Sequence, residues 1–124
     1  MNELTKHNIE LLKKLIATPS FSKEEDDTAE ILQQFFDEKK ISHHRHHNNI
    51  WATNRYFDNK KPTILLNSHH DTVKPNSGYT NNPFTPIVKD NKLFGLGSND
   101  AGGALTSLIS SFVHFYPQKN LNYN

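Results

Sequence analysis

An unbroken apolar run, Thr63-Ile64-Leu65-Leu66, leads directly into Asn67-Ser68-His69-His70-Asp71, and this constrains the 124-residue chain more than any other feature. A short apolar run without alternation reads as a strand covered on both faces, the kind found in the centre of an α/β sheet. Helical spacing on either side agrees with that class. Leu4, Ile9, Leu11, Leu12, Leu15 and Ile16 fall within one arc, and Thr18-Pro19 closes the segment. Ser22 and Glu25 match a capping box for a second helix, whose face is lined by Ala29, Leu32, Phe35 and Phe36 up to about Lys40. Leu105, Leu108, Ile109, Phe112, Val113 and Tyr116 return to helical spacing over about 102–117.

Between the helical segments the pattern is β-like and punctuated. Residues 41–55 read as a hairpin around Asn48-Asn49, and residues 87–94 as a smaller one around Asp90-Asn91. Residues 72–86 are rich in Asn, Pro, Ser, Gly and Thr, a composition for a long loop, and long loops in compact domains are usually functional. The order helix, helix, strands, helix reads as α/β, with 63–66 as a strand of a central sheet.

Charge and composition exclude several functions. With 14 basic against 13 acidic residues and a net charge of +1, the chain offers no electrostatic case for nucleic acid. No apolar run approaches the roughly 20 residues of a membrane span, and no charged leader precedes an apolar segment, so the expectation is a cytoplasmic protein with no membrane partner. Because there is no cysteine, any metal site must use imidazole and carboxylate.

Two segments carry such groups. His69 and Asp71 stand two apart at the end of the apolar strand, so they share one face at a strand C-terminus, where open α/β sheets place their sites. His70 points the other way. The second segment is Phe94-Gly95-Leu96-Gly97-Ser98-Asn99-Asp100-Ala101-Gly102-Gly103-Ala104, in which glycines surround one carboxylate just ahead of a helix. Taken singly, the first reads as an ordinary strand end and the second as an N-cap with a turn. The His-rich stretch at 43–47 has no carboxylate beside it, and strand alternation splits its imidazoles between two faces, so it reads as a solvated edge strand.

In combination the two segments resemble a known family. His69-His70-Asp71-Thr72-Val73-Lys74-Pro75, then Pro83-Phe84, then Gly95-Leu96-Gly97-Ser98-Asn99-Asp100 with Gly102-Gly103, match the pattern H-x-D-x-V-x-P, P-F, G-x-G-x-x-D. The pattern is similar to that of the two-zinc hydrolases that include acetylornithine deacetylase and succinyl-diaminopimelate desuccinylase. Thr18-Pro19-Ser20-Phe21-Ser22 also fits the family's opening.

The resemblance implies that residues 1–124 are the N-terminal part of a zinc-exopeptidase-like catalytic domain, an α/β fold with a central, mostly parallel sheet flanked by helices, with the rest of that domain and a dimerisation domain lying elsewhere. It implies His69 as a ligand of one zinc, Asp100 as a carboxylate bridging two, Asp71 as the catalytic acid behind the site, and a cis peptide bond after Asp100. Cobalt is a possible substitute for zinc. The implied activity is hydrolysis of an N-acyl amino acid by a homodimeric enzyme, closest to acetylornithine deacetylation in arginine biosynthesis. Alternatives are succinyl-diaminopimelate desuccinylation, a dipeptidase, or an inert fragment. The last has a basis in the residues, since no Asp or Glu follows Asp100 and no general base is present there.

Overall fold

The computed structural model describes residues 3–124. The elements are α1 (Glu3–Ala17), α2 (Asp26–Glu38), β1 (His44–His46), β2 (Asn49–Trp51), β3 (Ile87–Lys89), β4 (Lys92–Phe94) and α3 (Ala104–Phe115). An irregular turn, Ser98–Gly103, runs directly into α3.

The core lies among the three helices. Leu11 and Leu15 of α1, Leu32, Phe35 and Phe36 of α2, and Leu105 and Ile109 of α3 are buried against one another, with Ile41 and Tyr116 closing the cluster. These are the positions that recur at helical spacing in the sequence, so periodicity selected the inward faces correctly. Helix α3 ends at Phe115, just before Pro117, which cannot continue a helix.

Each sheet is a two-stranded antiparallel hairpin. β1 and β2 pair His44 with Trp51, Arg45 with Ile50, and His46 with Asn49. Their turn is therefore His47-Asn48, one residue earlier than Asn48-Asn49, and it is His47 that takes the positive φ of 52°. Arg45 fastens this hairpin to α2 by donating to Asp26 at 2.8 Å and to Gln33 at 3.0 Å, which fixes the register the turn must satisfy. Exposed His44 stacks on Trp51, and His46 is exposed beside it, as a solvated strand requires. β3 and β4 close on Asp90 and Asn91, both at positive φ as expected of that pair.

Two expectations are corrected. The proposed central strand, 63–66, is extended but joins no sheet, and Ile64, Leu65 and Leu66 are 57%, 82% and 45% exposed. A strand needs a neighbour to satisfy its N–H and C=O groups. Among the described residues only Asn124 offers one, accepting from Ile64 N–H at 3.0 Å and donating to the Pro62 carbonyl at 2.9 Å. Those two bonds flank Thr63 in the manner of a parallel pair. Residues 3–124 thus form a mixed helix-and-strand structure whose only sheets, among the described residues, are the two hairpins.

The capping box is also absent. Helix α2 starts at Asp26 with Glu25 as its N-cap residue and no side-chain cap. Glu25 instead accepts from Lys23 N–H at 2.6 Å and from the Asn48 amide at 2.8 Å, and Ser22 bonds elsewhere. Asp26 and Asp27 in the first turn still favour the helix N-terminus electrostatically.

Candidate metal centre

The stretch 69–72 is held from behind by the segment that links α1 to α2. Ser20 donates to the His70 carbonyl at 2.9 Å, and Thr72 N–H donates to the Ser20 carbonyl at 2.7 Å. Phe21 and Thr72 form an isolated parallel bridge, and the Ser22 hydroxyl donates to the Asp71 carboxylate. Phe21 in turn meets Phe84 edge-on at 6.1 Å, so Thr-Pro-Ser-Phe-Ser and Pro-Phe touch through their aromatic rings.

The glycine-rich loop comes in from the other side. Gly97 has φ 76°, and a Cβ there would lie 2.7 Å from Thr72 Cγ2. A Cβ on Gly102 would lie 2.6 Å from both the Gly97 carbonyl oxygen and Leu12 Cδ1. Only bare backbone lets this loop lie against α1 and residue 72 together. Within the turn, Asp100 leaves helical geometry with φ −115° and ψ 99°, and its bond to Ala101 is cis, as the resemblance implies.

These constraints bring the three candidate residues to one spot. His69 Nδ1 is 3.0 Å from Asp71 Oδ1 and 3.2 Å from the Asp71 carbonyl, while His69 Nε2 is 3.2 Å from Asp100 Oδ1. The imidazole therefore lies between two carboxylates from segments about thirty residues apart in sequence. Asp100 is 90% exposed at its side chain and His69 52%, so the cluster opens to solvent. Partial burial opposes a charged His69, but the hydrogen bond to the Asp71 carbonyl and the charges of Asp71 and Asp100 outweigh it and raise its pKa. The Ser22 hydroxyl, ahead of the opposing effect of burial and the attraction of His69, holds the Asp71 carboxyl below its ordinary range.

The donor chemistry fits zinc in part. Imidazole nitrogen and carboxylate oxygen are zinc donors, and a ligating imidazole commonly gives its other N–H to a carboxylate, which is the relation of His69 to Asp71. Among the described residues no group of three or more His, Cys, Asp or Glu could hold an ion, so the fit rests on His69 and Asp100 alone. A cavity of about 340 Å³, lined by residues from Gly78 to Thr85 and from Phe94 to Ser98, lies beside the Asp100 turn rather than on His69.

Sequence reasoning missed Ser20, Ser22 and the inward contacts of His70. Ser22 fits a capping pattern locally, and nothing in its neighbourhood announces a carboxylate 49 residues away.

A succinyl-diaminopimelate desuccinylase of Blochmanniella floridana is 37% identical over 75 residues, covering 56% of this chain and 20% of that protein. The enzyme of the same name from Helicobacter pylori strain HPAG1 is 32% identical over 62 residues, 49% of this chain and 16% of its own length. A third, from Anaplasma marginale strain Florida, is 34% identical over 55 residues, 44% of this chain and 14% of its own length. The chain resembles the acetylornithine deacetylase and succinyl-diaminopimelate desuccinylase family. No protein-family model matches it. The match spans a fifth or less of each of these relatives, and all three carry the desuccinylase name, which gives no support to arginine biosynthesis. Among the described residues no helix is long and apolar enough to cross a membrane.

Proposed function

We propose that this chain supplies part of the metal centre of a zinc-dependent amidohydrolase that removes the acyl group from an N-acyl amino acid. The observation that supports this reading is the placement of His69, held by Asp71 at one ring nitrogen and facing Asp100 with the other. In the proposed roles His69 and Asp100 bind metal, and Asp71 fixes the imidazole in the tautomer that leaves Nε2 free to coordinate. Zinc supplies Lewis acidity toward an amide carbonyl when bound there. The relatives' names favour a succinylated diamino acid as substrate over N-acetylornithine. Residues 1–124 are in this reading the N-terminal part of a catalytic domain whose general base lies outside them.

A second reading, a polypeptide that binds at most one zinc, is favoured by His69 and Asp100 standing without a third donor beside them among the described residues.

The test is hydrolysis of N-succinyl-diaminopimelate and N-acetylornithine by residues 1–124 and by the product of the gene read beyond codon 124, each untagged and supplied with zinc. The expected result is no turnover by the chain alone, turnover by the longer product, and loss of most of that activity on Asp100→Ala. Turnover by residues 1–124 above a metal-only control would overturn the account of the missing base. A longer product inert on both amides would overturn the amidohydrolase reading.

A further inference from the structure

His70, the x of H-x-D, turns its ring into the protein and meets two different elements. Nδ1 is 2.8 Å from the Thr28 hydroxyl of α2, and Nε2 is 2.8 Å from the Asn48 carbonyl in the β1–β2 turn. The Asn48 carbonyl only accepts, so Nε2 carries a proton, and Nδ1 meets the Thr28 hydroxyl, which also lies 3.1 Å from the Glu25 carbonyl. Both anchors are themselves held. Thr28 is 1% exposed inside the helical packing, and the Asn48 amide is bound to Glu25. His70's own carbonyl is taken by Ser20, which is 2% exposed. Thus the residue between His69 and Asp71 is fixed at its ring and at its backbone, while both neighbours face the opposite side.

We propose that His70 is a positioning residue: its ring ties the 69–71 backbone to α2 and the β1–β2 turn, and thereby sets the direction in which His69 and Asp71 meet Asp100. The metal consequence rests on the zinc reading above; the positional one does not. Without the ring, the 69–72 stretch keeps its bonds to Ser20 and Ser22, all from the segment that links α1 to α2, and loses its hydrogen bonds to α2 and the β1–β2 turn on the other side, so the 69–71 segment can turn about that one-sided attachment. His69 then loses its alignment to Asp100 without losing any atom of its own. A stretch paired through the single Phe21–Thr72 bridge has no continuous ladder to prevent that movement, which is why a side-chain clamp matters here more than within a fully paired strand.

The experiment uses the whole chain, metal-free and then with zinc. Ring nitrogen–proton correlation spectra report the tautomer of each histidine, urea unfolding reports stability, and competition with a chelator reports zinc affinity. Wild-type His70 is expected as the Nε2–H tautomer. His70→Ala is expected to move the His69 ring signals and to weaken zinc binding roughly 10–100-fold, the usual scale for a group that orients a ligand. Thr28→Val should reproduce part of both changes, and Thr28→Ser, which keeps the hydroxyl, should restore wild-type behaviour. If His70→Ala does not fold, the Thr28 pair decides the matter. Variants that lower the urea midpoint while leaving His69 signals and zinc affinity untouched would show a purely structural role and overturn the proposal, as would a wild-type Nδ1–H tautomer. A wild-type chain that binds no zinc while His69 signals still respond to His70→Ala would overturn the zinc reading and sustain the clamp.

Discussion

His69 stands with a carboxylate at each ring nitrogen, and both favour the imidazolium in the metal-free protein. Its midpoint, followed by proton resonance of the ring, is expected above the ordinary imidazole value of about 6.5, and Asp100→Asn should bring it down by removing one charge. A raised folded-state pKa means that this contact stabilises the fold at acid pH and that its contribution disappears as the pH rises through the folded midpoint. Asp71 works in the opposite sense: its lowered pKa adds stability above the ordinary carboxylate range, lost as the pH falls through the folded value. A His69 midpoint at or below 6.5 would contradict the observed pairing. Removing Asp71 should also matter to metal, and Asp71→Ala is expected to cost roughly 10–100-fold in zinc affinity, measured by chelator competition. The three residues of this cluster were legible because H-x-D and the glycine-flanked Asp100 are short local patterns. The partners of His70 were not, since they lie 42 and 22 residues away and carry no pattern of their own.

Helices and hairpins were legible where the central strand was not, for a reason of bonding. An α-helix closes its hydrogen bonds within itself, so apolar spacing at Leu11, Leu15, Leu32 and Ile109 suffices to mark it. The run 63–66 has the composition of a buried strand, but its ladder must come from another segment, and Asn124 alone supplies two bonds. The glycine-rich turn is the element on which the site most depends. Gly102→Ala would place a methyl 2.6 Å from the Gly97 carbonyl oxygen and 2.6 Å from Leu12 Cδ1. Leu12 can swing aside, but the carbonyl is backbone that also accepts Gly102 N–H at 2.8 Å. The expected cost is therefore about 1–3 kcal/mol in urea unfolding, the range for overpacking. It should persist in a Leu12→Ala background. A neutral Gly102→Ala would mean that the turn is looser than its contacts imply.

For the molecule as a whole, the helical face is closed and the extended segment is open. The core among α1, α2 and α3 buries its large side chains to below a tenth of their exposure, whereas Ile64, Leu65 and Leu66 stand exposed on an extended segment that only Asn124 pairs among the described residues. Exposed apolar residues on an unpaired extended segment are the usual route to association between copies, because pairing satisfies the backbone while burial removes the side chains from water. Burying one Leu or Ile side chain is worth about 1.5–3 kcal/mol, so a few of them meeting across two copies can outweigh part of the cost of association. The chain is therefore expected to self-associate with rising concentration in sedimentation velocity. Leu65→Lys, at the position 82% exposed, should shift that equilibrium toward monomer. Because Leu65 lies outside the helical core, the same substitution should leave the urea midpoint of the monomer unchanged within about 0.5 kcal/mol. A Lys at Ile109, which is 4% exposed, should instead unfold the chain, separating loss of the exposed segment from loss of the core. A wild-type chain that stays monomeric at high concentration, or a Leu65→Lys chain that associates equally well, would show that the exposed segment does not drive contact between copies.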